Sequence, residues 1–281
     1  MVSRPEVLIE SNALLGEGPR WDAEQRRLLW VDIERGEVHA WDGIDHVVEV
    51  GARVGAVAPA ENGELLVALA DRLAFIGEDG IRTAIAFPHA AELRANDGIC
   101  DSRGRFWIGT MRLDEAPGHA ALYRYDGVSL EPMVDGIGLS NGIAWSPDET
   151  LMYYVDTLTS RVDVFDYDGD VANRRTFVEI DEADGLPDGL AVDDEGGVWV
   201  ALWAGRAVRR YAPDGTLDEI VSVPADNVTA CCFGGDDGRT LFITTAKPDG
   251  RVFYANAGVS GPAAQPFRNT APSDAEPTSA R

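Results

Sequence analysis

The stretch Ser146-Pro147-Asp148-Glu149-Thr150-Leu151-Met152-Tyr153-Tyr154-Val155-Asp156 joins a polar turn to a short strand of aromatic and β-branched residues. Five other segments of this kind recur, with central residues 37 to 47 positions apart; they span residues 28–32, 65–68, 106–109, 198–201 and 241–244. A turn and an apolar strand come before each segment, and a third strand of alternating polarity follows most of them. This order predicts consecutive β-hairpins.

The period of the repeat predicts the fold class. Four strands in each unit of about 40 to 45 residues are typical of a β-propeller blade, so six units predict an all-β, six-bladed β-propeller with four-stranded blades. The sixth unit has no clear fourth strand of its own. We expect Glu6-Val7-Leu8-Ile9 to complete it, which removes an open sheet edge. We assign residues 1–268 to the propeller and expect a disordered tail over residues 269–281, which carry few apolar groups.

The composition argues against several classes of protein. With 48 Asp and Glu against 24 Lys and Arg, the 281-residue chain has a formal net charge of −24, which repels nucleic acid and anionic membranes. The N-terminus lacks a basic start followed by an apolar run, and no run of about 18 apolar residues occurs. We therefore expect a cytoplasmic protein that binds neither nucleic acid nor membrane. A propeller buries its core without a partner, so a monomer or weak homo-oligomer is expected.

The first strand of each blade lines the central channel of a propeller, so its leading residues converge on one mouth. Aligning the six units places six residues in one ring: Glu17, Val54, Asp97, Asn141, Asp188 and Thr229. Four of them carry a carboxylate or an amide. Buried carboxylates repel one another, and a divalent cation would neutralise them; calcium, magnesium and manganese prefer such oxygen ligands. The glycines that follow would let the backbone approach the ion.

Two sequence patterns in the chain can be explained by structure alone, without a functional site. Asp-Gly and Asn-Gly pairs often form ordinary turns, but their recurrence in phase with the blades favours a metal or ligand site. The segment Gly138-Leu139-Ser140-Asn141-Gly142 fits the G-x-S-x-G esterase pattern, yet strands follow it instead of the helix that this motif requires. We therefore do not assign Ser140 as a nucleophile.

Several motifs together give the chain a family resemblance. It resembles the family of gluconolactonases, senescence marker protein (regucalcin) and luciferin-regenerating enzyme over residues 14 to about 245. The matching stretches are Leu15-Gly16-Glu17-Gly18-Pro19, Trp30-Val31-Asp32, Arg94-Ala95-Asn96-Asp97-Gly98, Gly109-Thr110-Met111, Ser140-Asn141-Gly142 with Asp156, Pro187-Asp188-Gly189, Trp199-Val200-Ala201 and Cys232-Phe233-Gly234-Gly235. This resemblance implies a six-bladed propeller with a metal site in its channel.

The resemblance also implies roles for individual residues. Its metal ligands match Glu17, Asn141 and Asp188, and its substrate contacts match Arg94 and Asn96. A further acidic contact follows the Gly-Thr-Met segment, where Asp114 and Glu115 are both candidates and Asp114 is preferred.

The function implied is divalent-metal-dependent hydrolysis of a sugar lactone, of gluconolactone or pentonolactone type, to the aldonic acid. One cation is expected, calcium first, with zinc, manganese, magnesium and iron as alternatives. Asp188 is the candidate general base, because a ligand at the edge of the site can also contact the attacking water. Asp97 is expected to brace the loop or a metal-bound water and not to bind the ion directly. Two alternatives stay open: a calcium-dependent phosphotriesterase-like hydrolase, and a non-catalytic metal-binding regulatory protein.

Overall fold

Six four-stranded antiparallel sheets, built from 24 strands, make up the structure. The computed structural model describes residues 2–88 and 91–268. In chain order the strands are β1 (Glu6–Ile9), β2 (Gly16–Asp22), β3 (Arg27–Asp32), β4 (Glu37–Trp41), β5 (Asp45–Glu49), β6 (Val54–Pro59), β7 (Leu65–Leu69), β8 (Arg72–Gly77), β9 (Gly80–Ala86), β10 (Leu93–Cys100), β11 (Phe106–Arg112), β12 (Ala120–Tyr125), β13 (Leu130–Ile137), β14 (Ser140–Trp145), β15 (Leu151–Asp156), β16 (Arg161–Tyr167), β17 (Val171–Glu179), β18 (Leu186–Val192), β19 (Val198–Trp203), β20 (Ala207–Tyr211), β21 (Leu217–Ser222), β22 (Val228–Gly234), β23 (Thr240–Thr245) and β24 (Val252–Asn256). Within these residues, helical backbone is limited to two 3₁₀ turns, Thr157–Thr159 and Glu182–Asp184. The described chain contains no helix that is long and apolar enough to cross a membrane.

The sheets are arranged as the blades of a propeller. Five of them contain four consecutive strands, from β2 to β21, each strand pairing with the next. The first strands of the blades, β2, β6, β10, β14, β18 and β22, contact one another in that order, and β22 contacts β2. These six inner strands therefore form a closed ring around a central channel. The predicted six-bladed β-propeller is confirmed.

The N-terminal strand closes the last blade. The sixth sheet has the order β1-β24-β23-β22, and Glu6 and Val7 of β1 lie opposite Tyr254 and Phe253 of β24. This pairing confirms the prediction and joins the two ends of the propeller in one sheet. The predicted tail, 269–281, lies outside the described residues.

Aromatic residues at the blade centres explain the repeat seen in the sequence. Trp107 and Trp199 are fully buried between blades, and Trp199 meets Phe233 of the next blade at a centroid distance of 5.7 Å. Their indole Nε1–H groups donate to Asp101 at 2.9 Å and to Asp193 at 2.8 Å. Burial of one such side chain stabilises the fold by about 1.5–3 kcal/mol, so a polar residue in its place would weaken the blade contact.

Every inner strand has a β-bulge near the residue that the alignment places in the ring. The register shifts fall at 17–20, 54–56, 95–98, 140–143, 187–190 and 228–230. A bulge inserts an extra residue and redirects the side chains around it. The six shifts therefore occur at one level of the channel, and the candidate ligands lie at that level.

Candidate functional site

Glycines beside the ring residues allow neighbouring inner strands to approach each other. A Cβ on Gly142 would lie 2.8 Å from the Asp188 carbonyl oxygen, and one on Gly55 would lie 2.1 Å from that of Asn96. Real Cβ atoms do not approach so closely, so these positions require glycine for packing. Close backbone approach to an ion stays a prediction.

Three carboxylates are buried together at the leading end of the channel. Glu17, Asp97 and Asp188 are each no more than 5% exposed. Burial and the nearby Asp97 charge raise the pKa of Glu17 to about 8. Burial, followed by the charges of Glu17 and Asp97, raises the pKa of Asp188 well above its usual value. The sequence alignment therefore brought together side chains that affect one another electrostatically in the fold.

Asp97 forms a buried ion pair with Arg20. Nη2 of Arg20 donates to its Oδ1 at 2.9 Å, and the Gly98 amide donates to the same oxygen at 2.7 Å. Arg20 is itself buried and did not emerge from the sequence, because the bulge in β2 breaks the alternation that would identify channel-facing residues. This ion pair agrees with a bracing role for Asp97. Glu17 and Asp188, by contrast, form no ion pair among the described residues and are stabilised by the nearby charge of Arg94, with Arg20 also acting on Glu17.

The carboxylates of Glu17 and Asp188, which form no ion pair among the described residues, fit a hard divalent cation. Oδ1 of Asp188 is buried and accepts no hydrogen bond from any residue that the structure describes. Glu17 accepts a 3.0 Å bond from the Gly18 amide at Oε2. Buried charges in proteins are normally paired or bound to metals, so this arrangement favours a cation. Within residues 2–88 and 91–268, no three His, Cys, Asp or Glu side chains form a metal site; the predicted set instead combines two carboxylates with an amide.

A continuous chain of hydrogen bonds joins the predicted substrate residues to Asn141. Nη1 of Arg94 donates to Asn96 Oδ1 at 2.7 Å, and Nδ2 of Asn96 donates to Asn141 Oδ1 at 2.8 Å. Nδ2 of Asn141 donates to Thr157 Oγ1 at 2.8 Å, and this hydroxyl donates to the Pro187 carbonyl at 2.8 Å. Thr157 therefore fixes the orientation of the Asn141 amide. Its only signal in the sequence is its place after the strand that ends at Asp156.

Arg94 lies close to the carboxylates but is deeply buried. Burial lowers the pKa of its guanidinium to about 10, and the charges of Glu17 and Glu115 are among those acting on it. A cavity of about 250 Å³ beside it is lined by Arg53, Phe87 and Leu113 among others. This opening offers room for a small molecule next to Arg94.

Asp114 is in a different environment from the other candidates. Its side chain is 59% exposed, and Nε and Nη2 of Arg112 donate to its two oxygens at 2.7 and 2.8 Å. These bonds hold the pKa of Asp114 below its usual value. None of the hydrogen bonds shown for Asp114 reaches the buried carboxylates of the channel. The charge of Glu115, by contrast, acts on Arg94. Contact of Asp114 with substrate stays a prediction.

Ser140 is unsuited to act as a nucleophile. It is fully buried, and its Oγ accepts a 2.6 Å hydrogen bond from the Tyr154 hydroxyl. It also lies against Gly109 of the neighbouring blade, where an added Cβ would overlap its Oγ. The G-x-S-x-G pattern is therefore structural.

The sequence matches a known protein family over most of its length. The sequence model of the SMP-30/Gluconolactonase/LRE-like region matches residues 15–247. The chain belongs to this family. The match includes all six candidate site residues, Glu17, Arg94, Asn96, Asp114, Asn141 and Asp188.

Members of the SMP-30/gluconolactonase family align with most of the chain. The protein named "Putative sugar lactone lactonase YvrE" of Bacillus subtilis (strain 168) is 39% identical over 84% of this chain and 85% of its own. Regucalcin of Danio rerio is 38% identical over 86% of both chains. The crystal structure of a calcium-binding regucalcin from Agrobacterium tumefaciens str. C58 superposes with a TM-score of 0.88 at 27% identity, covering 93% of this chain and 96% of the other.

Proposed function

We propose that the protein hydrolyses a sugar lactone of gluconolactone or pentonolactone type to the aldonic acid, with one divalent cation bound by Glu17, Asn141 and Asp188. The observation that carries the proposal is the buried Oδ1 of Asp188, which accepts no hydrogen bond among the described residues, beside the buried carboxyl of Glu17, which forms no ion pair there. Family membership supports a lactone hydrolase, since one relative is named for that activity. Calcium is the first choice of ion, because the ligands are oxygens and one structural relative is described as calcium-binding.

A bound cation would supply Lewis-acid polarisation of the lactone carbonyl. The residues of the chain would do the rest of the chemistry. Asp188, at the edge of the ring, accepts a proton from the attacking water as its oxygen bonds to the carbonyl carbon. The ring C–O bond of the lactone then breaks, and Asp188 returns its proton to the leaving oxygen, which becomes the hydroxyl of the open-chain acid and leaves the carboxylate free for the next cycle.

Arg94 and Asn96 would bind and orient the substrate. The guanidinium of Arg94 is charged at neutral pH even with its lowered pKa, so it can donate to hydroxyl or ring oxygens of the sugar. The bond from Arg94 holds the amide of Asn96, so the two act as one unit. We place Asp114 as a further contact at the rim, with Glu115 as its alternative.

The test is lactone turnover by the purified full chain in the presence of calcium, magnesium, manganese, zinc or ferrous iron in turn. Acid release above spontaneous opening should require one of these ions and should stop on addition of a chelator. Asp188→Asn keeps the shape of the side chain and should lower kcat by about a hundredfold or more. Asp166→Asn changes a surface carboxylate that pairs with Arg175 and should leave turnover unchanged.

Two outcomes would overturn the proposal. Full activity of chelated protein would contradict the role of the metal. Tight binding of an ion without turnover of any lactone would instead support a non-catalytic metal-binding protein.

A further inference from the structure

We propose that the trailing end of the central channel is a second binding site, for a neutral ring-containing molecule with oxygen acceptors. A cavity of about 240 Å³ lies there, at the opposite end from the carboxylate ring. Five of the six inner strands contribute to its wall after their bulges, through Arg20, Ile99, Ala144, Leu190 and Cys231. The cavity is distinct from the opening beside Arg94, and this inference does not depend on lactone hydrolysis.

The wall of this cavity is mainly apolar. Ile99, Ala144, Leu190 and Cys231 present aliphatic groups and a thiol, and Trp145 lies at the end of β14. Residues 262–265, which follow the last strand, form part of the lining. A concave, mainly apolar wall with a few polar groups is the usual setting for a small molecule.

Two hydrogen-bond donors in this wall have no acceptor. Nε of Arg20 and Nε1 of Trp145 are buried and donate to no residue within the described ranges, 2–88 and 91–268. Arg20 is only 5% exposed, and its other two nitrogens are engaged by Asp97 and by the backbone carbonyls of Pro19 and Gly98. A buried donor without an acceptor costs about 1–3 kcal/mol, so a ligand oxygen that reached either group would recover that energy.

The buried carboxylates in the same wall are already saturated with donors. Asp101 accepts bonds from the Trp107 indole at 2.9 Å and the Tyr167 hydroxyl at 3.0 Å, besides its ion pair with Arg105. Asp193 accepts bonds from the Trp199 indole at 2.8 Å and from Arg210 at 2.7 Å. The buried part of the wall therefore offers hydrogen-bond donors to a ligand, and its carboxylates do not need a cation from the ligand.

The charges around this cavity disfavour an anionic ligand. Arg20 is neutralised by Asp97, and the chain carries a formal net charge of −24. An anion would be repelled on approach and would find no uncompensated cation at the end of its path. A neutral ring with a carbonyl or ether oxygen suits the apolar wall and can accept from one of the two donors.

The probe for the test is prodan, a neutral naphthalene ketone whose emission moves to shorter wavelength in apolar surroundings. It is titrated into the full chain with the ion that binds best present in excess. We expect saturable one-to-one binding with a blue-shifted emission. Ala263→Trp places a large side chain in the lining and should weaken binding by about tenfold or more. Trp145→Phe removes one donor and keeps an aromatic ring, and should weaken binding by about fivefold.

The matched control fills the other cavity. Ala91 lines the opening beside Arg94, so Ala91→Trp should leave prodan binding unchanged. A linear, unsaturable titration would overturn the proposal, as would binding that neither Ala263→Trp nor Trp145→Phe weakens. Loss of binding in Ala91→Trp alone would assign the probe to the other end of the channel and would also overturn it. Melting temperatures of the variants, measured in parallel, identify any that fails to fold.

Discussion

Nδ2 of Asn96 donates a 2.8 Å hydrogen bond to Oδ1 of Asn141 and so joins a predicted substrate residue directly to a predicted metal ligand. The bond crosses from one blade to the next, since Asn96 lies on β10 and Asn141 on β14. Oδ1 of Asn141 has a second lone pair for a cation. Binding of substrate and binding of metal should therefore be coupled through this contact.

Thr157 should control cation affinity without contacting the cation. Thr157→Val removes the hydroxyl that accepts from Asn141 Nδ2, so the amide loses its fixed orientation. We expect the Kd for the ion to rise by about fivefold to tenfold, measured by calorimetric titration, and Thr157→Ser to restore most of the affinity. Thr159→Val alters a hydroxyl in the same turn that donates to the Asp156 carbonyl and should leave the Kd unchanged. Equal effects of both variants would indicate general loosening of the turn.

Removal of one ring charge should stabilise the metal-free protein. Glu17 and Asp188 are buried and repel each other. Glu17→Gln and Asp188→Asn should therefore each remove part of the free-energy cost of burying these two groups together. We expect a gain on the order of 1 kcal/mol, or about 2 °C in melting temperature, together with loss of the stabilisation that the ion gives to the native chain. Asp163→Asn should instead lower the melting temperature, because this buried carboxylate is paired with Arg161 and Arg174. A lower melting temperature for both ring variants would mean that the ring charges are compensated.

The Arg20–Asp97 pair should be strongly coupled. Arg20→Met leaves a buried carboxylate without its cation and should cost about 3–5 kcal/mol in urea unfolding. Adding Asp97→Asn to this variant should recover most of the loss, because the second change removes the unpaired charge. Additive losses in the double variant would show that Arg20 acts mainly through packing. Arg26→Met, which breaks an exposed pair with Asp236, should have little effect.

The three cysteines should be unreactive in the native protein. All are buried, and burial raises the pKa of Cys232 to about 12 and those of Cys100 and Cys231 above their usual values. Because the thiolate is the reactive form, a chromogenic disulfide reagent at mildly alkaline pH should modify none of them within minutes. All three should react in concentrated guanidinium chloride. Rapid reaction of the native chain would contradict the burial of these thiols.

The repeat made the fold predictable from the sequence, whereas its bulges concealed part of the site. Six anchors such as Trp107 and Trp199 recur because each blade buries the same strand between its neighbours, and this spacing is visible in the sequence. Alignment on the anchors also brought Asp97 and Asp188 into one ring. Arg20 and Thr157 could not be found in this way, because their roles depend on which side chain a bulge or turn directs at a distant partner. For the same reason the sequence could not decide whether Asp114 or Glu115 is the substrate contact, because these adjacent loop residues differ only in their three-dimensional surroundings.

The central claim is that Glu17, Asn141 and Asp188 bind one divalent cation. Its most direct test is the stoichiometry of manganese, used as a paramagnetic probe, in the native chain and in a variant combining Glu17→Gln, Asn141→Ala and Asp188→Asn. We predict one tightly bound ion in the native chain, displaced by calcium, and none in the folded triple variant. A triple variant that retained one ion at native affinity would contradict the account.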